Sequence, residues 1–408
     1  MERAPREWHA VGVARFEPFP AIRYAPDVAL AEVIAPPYDV VSEADIDELE
    51  SRSEHNIVHV DVPRERDGDG RYDAAGARLR NWIESGVMAV DAEPSFTLYR
   101  MTFTDAAGRD RSIVGVVGGV EVDEYGKGAV LPHERITPKA STDRLDLMRA
   151  TRANTSPVWG LSLAAGLTAL LIEPGELAGE VAAHGVTHRV ERVTDPDRIA
   201  AIAAAVGSDD VLIADGHHRY GVAQTYRREV RDATGRTDSP AEETMMFVSE
   251  LVADQLSVEA IHRVYRDIGR DELVDALSKG FELEPAGPVT GTTLAEMEAR
   301  GCLCLVDRDG DGTWLFPRPG AFDGVRELDG VWLEHLLDDT GASVIYQHGV
   351  DELTALLADD DSIAAAVMIR PVSVAEIERT AREGVVMPPK STFFTPKLLT
   401  GLLLRPLT

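Results

Sequence analysis

The chain has 408 residues and carries 41 Lys+Arg against 70 Asp+Glu, a formal net charge of −29, with 44% hydrophobic and 27% charged residues. That composition belongs to an ordinary globular protein and excludes a disordered chain, and the length suggests two to three domains. The negative field opposes phosphate backbones and anionic membranes, so neither nucleic acid nor a membrane is an expected partner, and any anion must be held by a local cationic patch. Only five of the basic residues are lysines (Lys127, Lys139, Lys279, Lys390 and Lys397), which makes their placement informative.

Residues 1–16 hold Arg3 and Arg6 with no apolar run behind them, so no export signal is expected. The run Ala35-Pro36-Pro37-Tyr38-Asp39-Val40 reads as stiff, extended backbone that fixes Tyr38 and Asp39, or sets Asp39 as the cap of a helix beginning near Ser42. Residues 96–104 and 112–122 are β-branched strands joined by a hairpin signal at 105–110. Residues 132–139 set His133, Glu134 and Arg135 between Pro132 and Pro138, with Lys139 directly after, as a site or as a solvated connector. Ser141 or Thr142 caps a following helix. Residues 160–172 are weakly polar but too short to span a bilayer. Asp195-Pro196 is an N-cap with proline at the first helical position, opening an alanine-rich helix to about Val206.

The sharpest feature follows: the apolar run Val211-Leu212-Ile213-Ala214 leads into Asp215-Gly216-His217-His218-Arg219-Tyr220. A strand passing through glycine into a helix start presents backbone N–H groups and the positive end of the helix dipole, a combination that binds anions. Arg219 can fork onto a phosphate, and His217 and His218 can donate or shuttle protons. The plainer alternative is that Asp215 caps the helix and the histidines are solvated.

Beyond it, residues 245–251 and 302–306 read as buried strands. His262 and Arg263 are candidate substrate contacts, with a core histidine paired to a backbone carbonyl as the alternative. A seam at 269–273 suggests an α/β region over 1–268 and a smaller one over 269–408. Cys302 and Cys304 alternate on one strand and fit core packing, not a zinc knuckle or redox pair. The Asp307-Arg308-Asp309-Gly310-Asp311-Gly312 run opens like a calcium loop but has Arg318 where a bidentate Glu is needed, so an acidic hairpin turn is expected. Residues 387–397, Met-Pro-Pro-Lys-Ser-Thr-Phe-Phe-Thr-Pro-Lys, hold two of the five lysines, and this tail is expected to return to the site, with Lys390, Ser391 and Lys397 on phosphate. No Walker A loop, dinucleotide fingerprint, zincin motif or nucleophile elbow is present.

The segments 35–40, His133-Glu134 with Asp143-Arg144-Leu145, 214–220, His262-Arg263 and 387–393 together resemble the bacterial and archaeal family called domain of unknown function 1015, over about residues 10–405. That family implies no settled activity. The Asp215-Gly216-His217-His218-Arg219 element is also similar to the signature of the ParB/sulfiredoxin superfamily, especially its free-serine kinases. The resemblance implies a mixed α/β, or α+β, fold: a mixed sheet with flanking helices around this strand-to-helix junction. It further implies that the helix start binds nucleotide phosphates and that the hydroxyl of free L-serine is phosphorylated.

The reading that results is a cytoplasmic phosphotransferase acting on a small hydroxyl metabolite, with ATP or ADP and Mg²⁺ implied by the resemblance. Asp39 or Glu134 would orient the acceptor, His217 and His218 would serve catalysis, and Tyr38, His262 and Arg263 would touch substrate. Residues 215–219, His133, Lys390, Ser391 and Lys397 would hold phosphate, with Asp215 a candidate Mg²⁺ ligand. Two alternatives stand beside it: a non-catalytic nucleotide or phosphate-metabolite sensor, and a phosphate-ester hydrolase using the paired histidines.

Overall fold

The computed structural model describes residues 14–105, 108–123, 128–132, 141–388 and 390–408. The fold is mixed α+β and forms two compact units. The first comprises residues 14–257 with 378–385 and 396–408; the second comprises 258–377 with 386–395. Gly269, at the seam expected from sequence, lies within the second unit, where it precedes the Arg270–Ser278 helix. No helix among the described residues is long and apolar enough to cross a membrane.

The first unit is built on a nine-stranded mixed sheet. Its spatial order is Val130–Pro132, Val211–Asp215, Val158–Ser162, Glu243–Glu250, Asp110–Glu121, Phe96–Thr104, Val186–Val193 and Glu176–Ala183, with Phe16–Glu17 pairing onto Asp110–Glu121. The expected hairpin is present: Thr97 pairs with Val117 through to Thr104 with Asp110. Gly118 is required where Phe16 and Phe96 stack at 4.9 Å, because a Cβ there would stand 2.5 Å from the Phe16 ring. The central strands are buried on both faces, as their unbroken apolar sequences require. The Pro196–Val206 helix begins as its sequence predicts, Asp195 accepting from Arg198 N–H at 2.8 Å, and packs Ile202 and Val206 into this core. The C-terminal chain is tied in by Tyr99: its hydroxyl accepts from Leu399 N–H at 3.0 Å and is hydrogen-bonded to His188 Nδ1 at 2.8 Å.

The second unit carries a six-stranded antiparallel sheet, ordered Phe281–Pro288, Asp311–Pro317, Leu303–Val306, Ile363–Met368, His262–Arg266 and Ser343–Gln347. Cys302 and Cys304 are both buried and unbridged in one apolar cluster with Trp314 and Met368, and burial pushes the Cys304 thiol up to about 12, so it packs as a neutral hydrophobe. The acidic turn is a hairpin cap, with Asp307 Oδ1 accepting from the N–H groups of Asp309 and Asp311.

His262 is 1% exposed and lies in this core, accepting at Nδ1 from Ile369 N–H at 3.3 Å. Burial, aided by the charges of Arg263 and His348, lowers its pKa to about 4, and burial does the same to His188 in the first unit. Both rings are therefore neutral when folded, whereas the unfolded chain protonates near 6.5. Between 6.5 and 4 the unfolded state binds more protons, so stability falls as pH falls through that window, by about 3 kcal/mol per histidine at its lower end. Thermal melts at pH 7.5 and 5 are expected to show this loss before carboxylates titrate. His262→Asn, which keeps an acceptor without a titrating ring, is expected to shrink the loss; an unchanged slope in the variant would contradict the assignment.

Candidate functional site

The Val211–Asp215 strand lies between Val130–Pro132, parallel to it, and Val158–Ser162, antiparallel, with a register shift just before Asp215. Gly216 then turns the chain at φ 86° and ψ 29° into the His217–Thr234 helix. This left-handed turn strongly favours glycine: a Cβ would meet the Arg219 guanidinium at 2.9 Å, in a conformation L side chains rarely adopt. The N-cap residue is Gly216, which has no side chain with which to cap the helix start, and the positive end of the helix dipole lies there. His217 is buried and His218 half-buried.

Arg219 does not fork outward. It is 8% exposed and turns back, donating to Asp215 Oδ2 at 3.0 Å and to the Pro157 carbonyl. Burial by itself would lower its pKa, but the charges of Asp215 and then Asp39 outweigh that and raise it. From the C-terminal tail, Lys397 brings Nζ to 3.6 Å from Asp215 Oδ1. Asp215 thus carries two cations, one on each oxygen, a setting that does not fit a magnesium ligand. No cluster of three or more metal-ligating side chains occurs among the described residues.

A second group of side chains stands against the first. Ala35 is held to Thr400 by a pair of backbone hydrogen bonds, after which the chain leaves its extended course and turns, Val40 N–H bonding to the Pro37 carbonyl. Asp39 is exposed at this turn, and Ser42, not Asp39, caps the next helix. The Arg144 guanidinium lies 4.2 Å over the Tyr38 ring. Arg144 also donates to Asp61 Oδ1 at 3.2 Å and to the Asp61 carbonyl at 2.5 Å, while Thr155 donates to the same carboxylate oxygen at 2.7 Å. Burial raises the Tyr38 phenol above its ordinary value, with Arg219 pulling it back, so it stays a neutral O–H donor at pH 7. Arg144, Thr155, Ser156 and Arg219 line a cavity of about 30 Å³, room for one water.

Tyr38, Asp39, Asp215, Gly216, His217, His218, Arg219 and Lys397 all belong to the first unit. His133 and Glu134 lie outside the described residues. His262, Arg263, Lys390 and Ser391 belong to the second unit. There Arg263 donates to the carbonyls of Ile261 and Lys390 at 2.6 and 3.1 Å and faces the Tyr346 ring, Lys390 adopts φ 57°, and Ser391 Oγ bonds to the Pro388 carbonyl. The tail is therefore shared, Lys390 going with one unit and Lys397 with the other. Asp61 and Thr155 match no motif; the sequence signal for Asp61 is a lone carboxylate inside the apolar run 57–62.

Gly216→Ala is expected to cost about 1–2 kcal/mol from the left-handed backbone alone and to displace Arg219, lowering the thermal midpoint. Arg144→Met leaves Asp61, 1% exposed, without its cation, a loss of about 3–5 kcal/mol. Adding Asp61→Asn should recover part of it in denaturant unfolding; no recovery would mean the pair is not the source of the loss.

No curated protein matches the chain. Among solved structures, it is similar to a free serine kinase in complex with AMP at 15% identity and TM-score 0.39, covering 69% of this chain and 88% of that one. A conserved hypothetical protein from Pyrococcus furiosus is similar at 13% identity and TM-score 0.38, covering 69% and 90%. SbnI with a C-terminal truncation, from Staphylococcus aureus, is similar at 14% identity and TM-score 0.39, covering 71% and 87%. The family profile described as protein of unknown function (DUF1015) matches residues 16–331, which is most of the sequence, and the chain belongs to that family.

Proposed function

We propose that the protein is a phosphotransferase that moves the terminal phosphoryl group of an adenine nucleotide to a small hydroxyl metabolite, with free L-serine the first acceptor to test. The observation that carries this reading is the helix start at Gly216 framed by a carboxylate that already holds two cations, Arg219 and Lys397. Phosphoryl transfer asks a protein for positioning and charge neutralisation more than for covalent chemistry. The start of the His217–Thr234 helix and the half-buried His218 would receive the phosphates. Lys397 would sit at their edge and offset the charge that develops on them. Arg219, being buried, would act as a fixed positive charge behind the turn and not as a direct ligand. Mg²⁺ would enter with the nucleotide phosphates and not on Asp215.

In the reaction, the acceptor hydroxyl oxygen forms the new bond to the terminal phosphorus as the bond to the nucleotide's bridging oxygen breaks. The hydroxyl proton passes to a carboxylate, and the products are a phosphomonoester and the shortened nucleotide. Asp39 is the described candidate for that carboxylate, since it is exposed and its charge is felt by both Tyr38 and Arg219; Glu134 is the other. The neutral Tyr38 phenol would donate to the substrate beside Asp39. The hydrolase alternative loses ground because His217 is only 5% exposed, which leaves one imidazole and not a pair.

The test is to incubate the full chain with ADP or ATP, Mg²⁺ and an amino-acid panel, and to look for phosphorylated product by mass spectrometry. Turnover is expected, and His218→Ala with Lys397→Ala should lower kcat/KM by about a hundredfold. Equal turnover in the double variant would refute the site. A nucleotide-dependent rise in thermal midpoint without product would favour the sensor.

A further inference from the structure

Many of the guanidiniums in this chain pair with carboxylates, as its excess of acids, 70 against 41 bases, allows. Arg64 shows the pattern, holding Glu43, Asp47 and Glu50 at once. In one recess of the first unit, two arginines without such a pair among the described residues come together. Arg66, Arg71 and Arg78 line a hollow of about 190 Å³ together with His59, Glu50 and Asp67. That space holds several waters or one small oxyanion.

The geometry comes from the Arg71–Glu84 helix. Positions 71, 74, 75 and 78 follow the i, i+3, i+4, i+7 spacing and share one face. Ordinarily such a face is apolar and packed. Here its two middle members are Ala74 and Ala75, which leave room, and its ends are arginines about 10 Å apart along the axis. Arg71 donates to the Gly68 carbonyl and the Tyr72 hydroxyl, and among the described residues neither it nor Arg78 has a carboxylate within salt-bridge distance. The Glu50 charge is already offset by Arg66 at 2.7 Å and Arg64 at 3.5 Å. The His59 ring donates from Nε2 to the Ser53 carbonyl at 3.2 Å and is kept neutral by burial and by Arg78, whose charge therefore bears on the ring.

We propose that this recess is a binding site for a small dianionic oxyanion, a free phosphate or a phosphomonoester, gripped between Arg71 and Arg78 and separate in its residues from the Gly216 helix start. Two guanidiniums with no carboxylate within salt-bridge distance, on one wall beside Ala74 and Ala75, supply the forked donors that tetrahedral oxyanions take, and among the described residues Asp67 is the one lining carboxylate that no arginine pairs. The ligand would provide the counter-charge that the protein itself does not.

The test titrates the full chain with inorganic phosphate at constant ionic strength by calorimetry. It uses a His218→Ala, Lys397→Ala background so that the proposed nucleotide site does not contribute. Saturable binding is expected. Arg71→Gln with Arg78→Gln should weaken it by about tenfold or more, whereas Arg80→Gln, an exposed arginine outside the recess, should leave it unchanged. If the paired variant fails to fold by circular dichroism, Arg78→Gln alone, at an exposed position, is the deciding measurement. No binding in the background protein, binding insensitive to Arg78, or an equal response to chloride would each overturn the proposal. Phosphoserine binding more tightly than inorganic phosphate would assign the site to a monoester, and the reverse would assign it to the free ion.

Discussion

Asp215 is the side chain on which the rest of the site depends. Its two oxygens hold Arg219, one helical turn onward, and Lys397, from nearly two hundred residues away in sequence. Because Arg219 is almost wholly buried, its charge must be met inside the protein, and removing Asp215 would leave an uncompensated guanidinium at a cost of about 3–5 kcal/mol. The carboxylate therefore closes the left-handed turn at Gly216, fixes the angle at which the helix leaves the sheet, and draws the C-terminal tail to the helix start. One ion-paired centre ties together a strand end, a helix start and a tail.

That centre is backed by a second. Asp61 is bonded by Arg144 and Thr155, Arg144 spreads over Tyr38, and Tyr38 and Asp39 lie within the electrostatic reach of Arg219. Each arginine is buried beside a carboxylate, so neither is a mobile surface charge. Under the proposed function, rigid charges of this kind would cost little to reorganise when a ligand arrives. The neutral Tyr38 phenol completes the set with a donor that carries no charge of its own.

The sequence made the local parts of this arrangement legible and left the long-range parts hidden. The hairpin strands at Phe96–Thr104 and Asp110–Glu121, the Asp195 cap and the Asp215–Gly216 junction follow from spacing, turn chemistry and capping, which act over a few residues. Lys397 on Asp215 and Arg144 on Asp61 are contacts across 182 and 83 residues, and no periodicity encodes them. Arg219 shows the limit differently. Its residue type and position pointed to a phosphate fork, but whether a guanidinium faces outward or folds back on i−4 is settled by packing against Pro157, which lies in another strand connection. His262 likewise reads as chemistry or as core from its neighbours alone, and the fold buries it to 1% exposure.

The excess negative charge and the small cationic site proposed at Gly216 are compatible because of range. At physiological ionic strength the screening length is about 8 Å, so under the proposed function a ligand at the Gly216 turn would feel Lys397, Arg219, Asp215, Asp39 and the helix end more than the distant surface. A polyanion spans many screening lengths and meets the whole acidic surface; a small dianion meets one turn of helix. Charge totals therefore decide which class of partner is admitted, and local pairing decides where it binds.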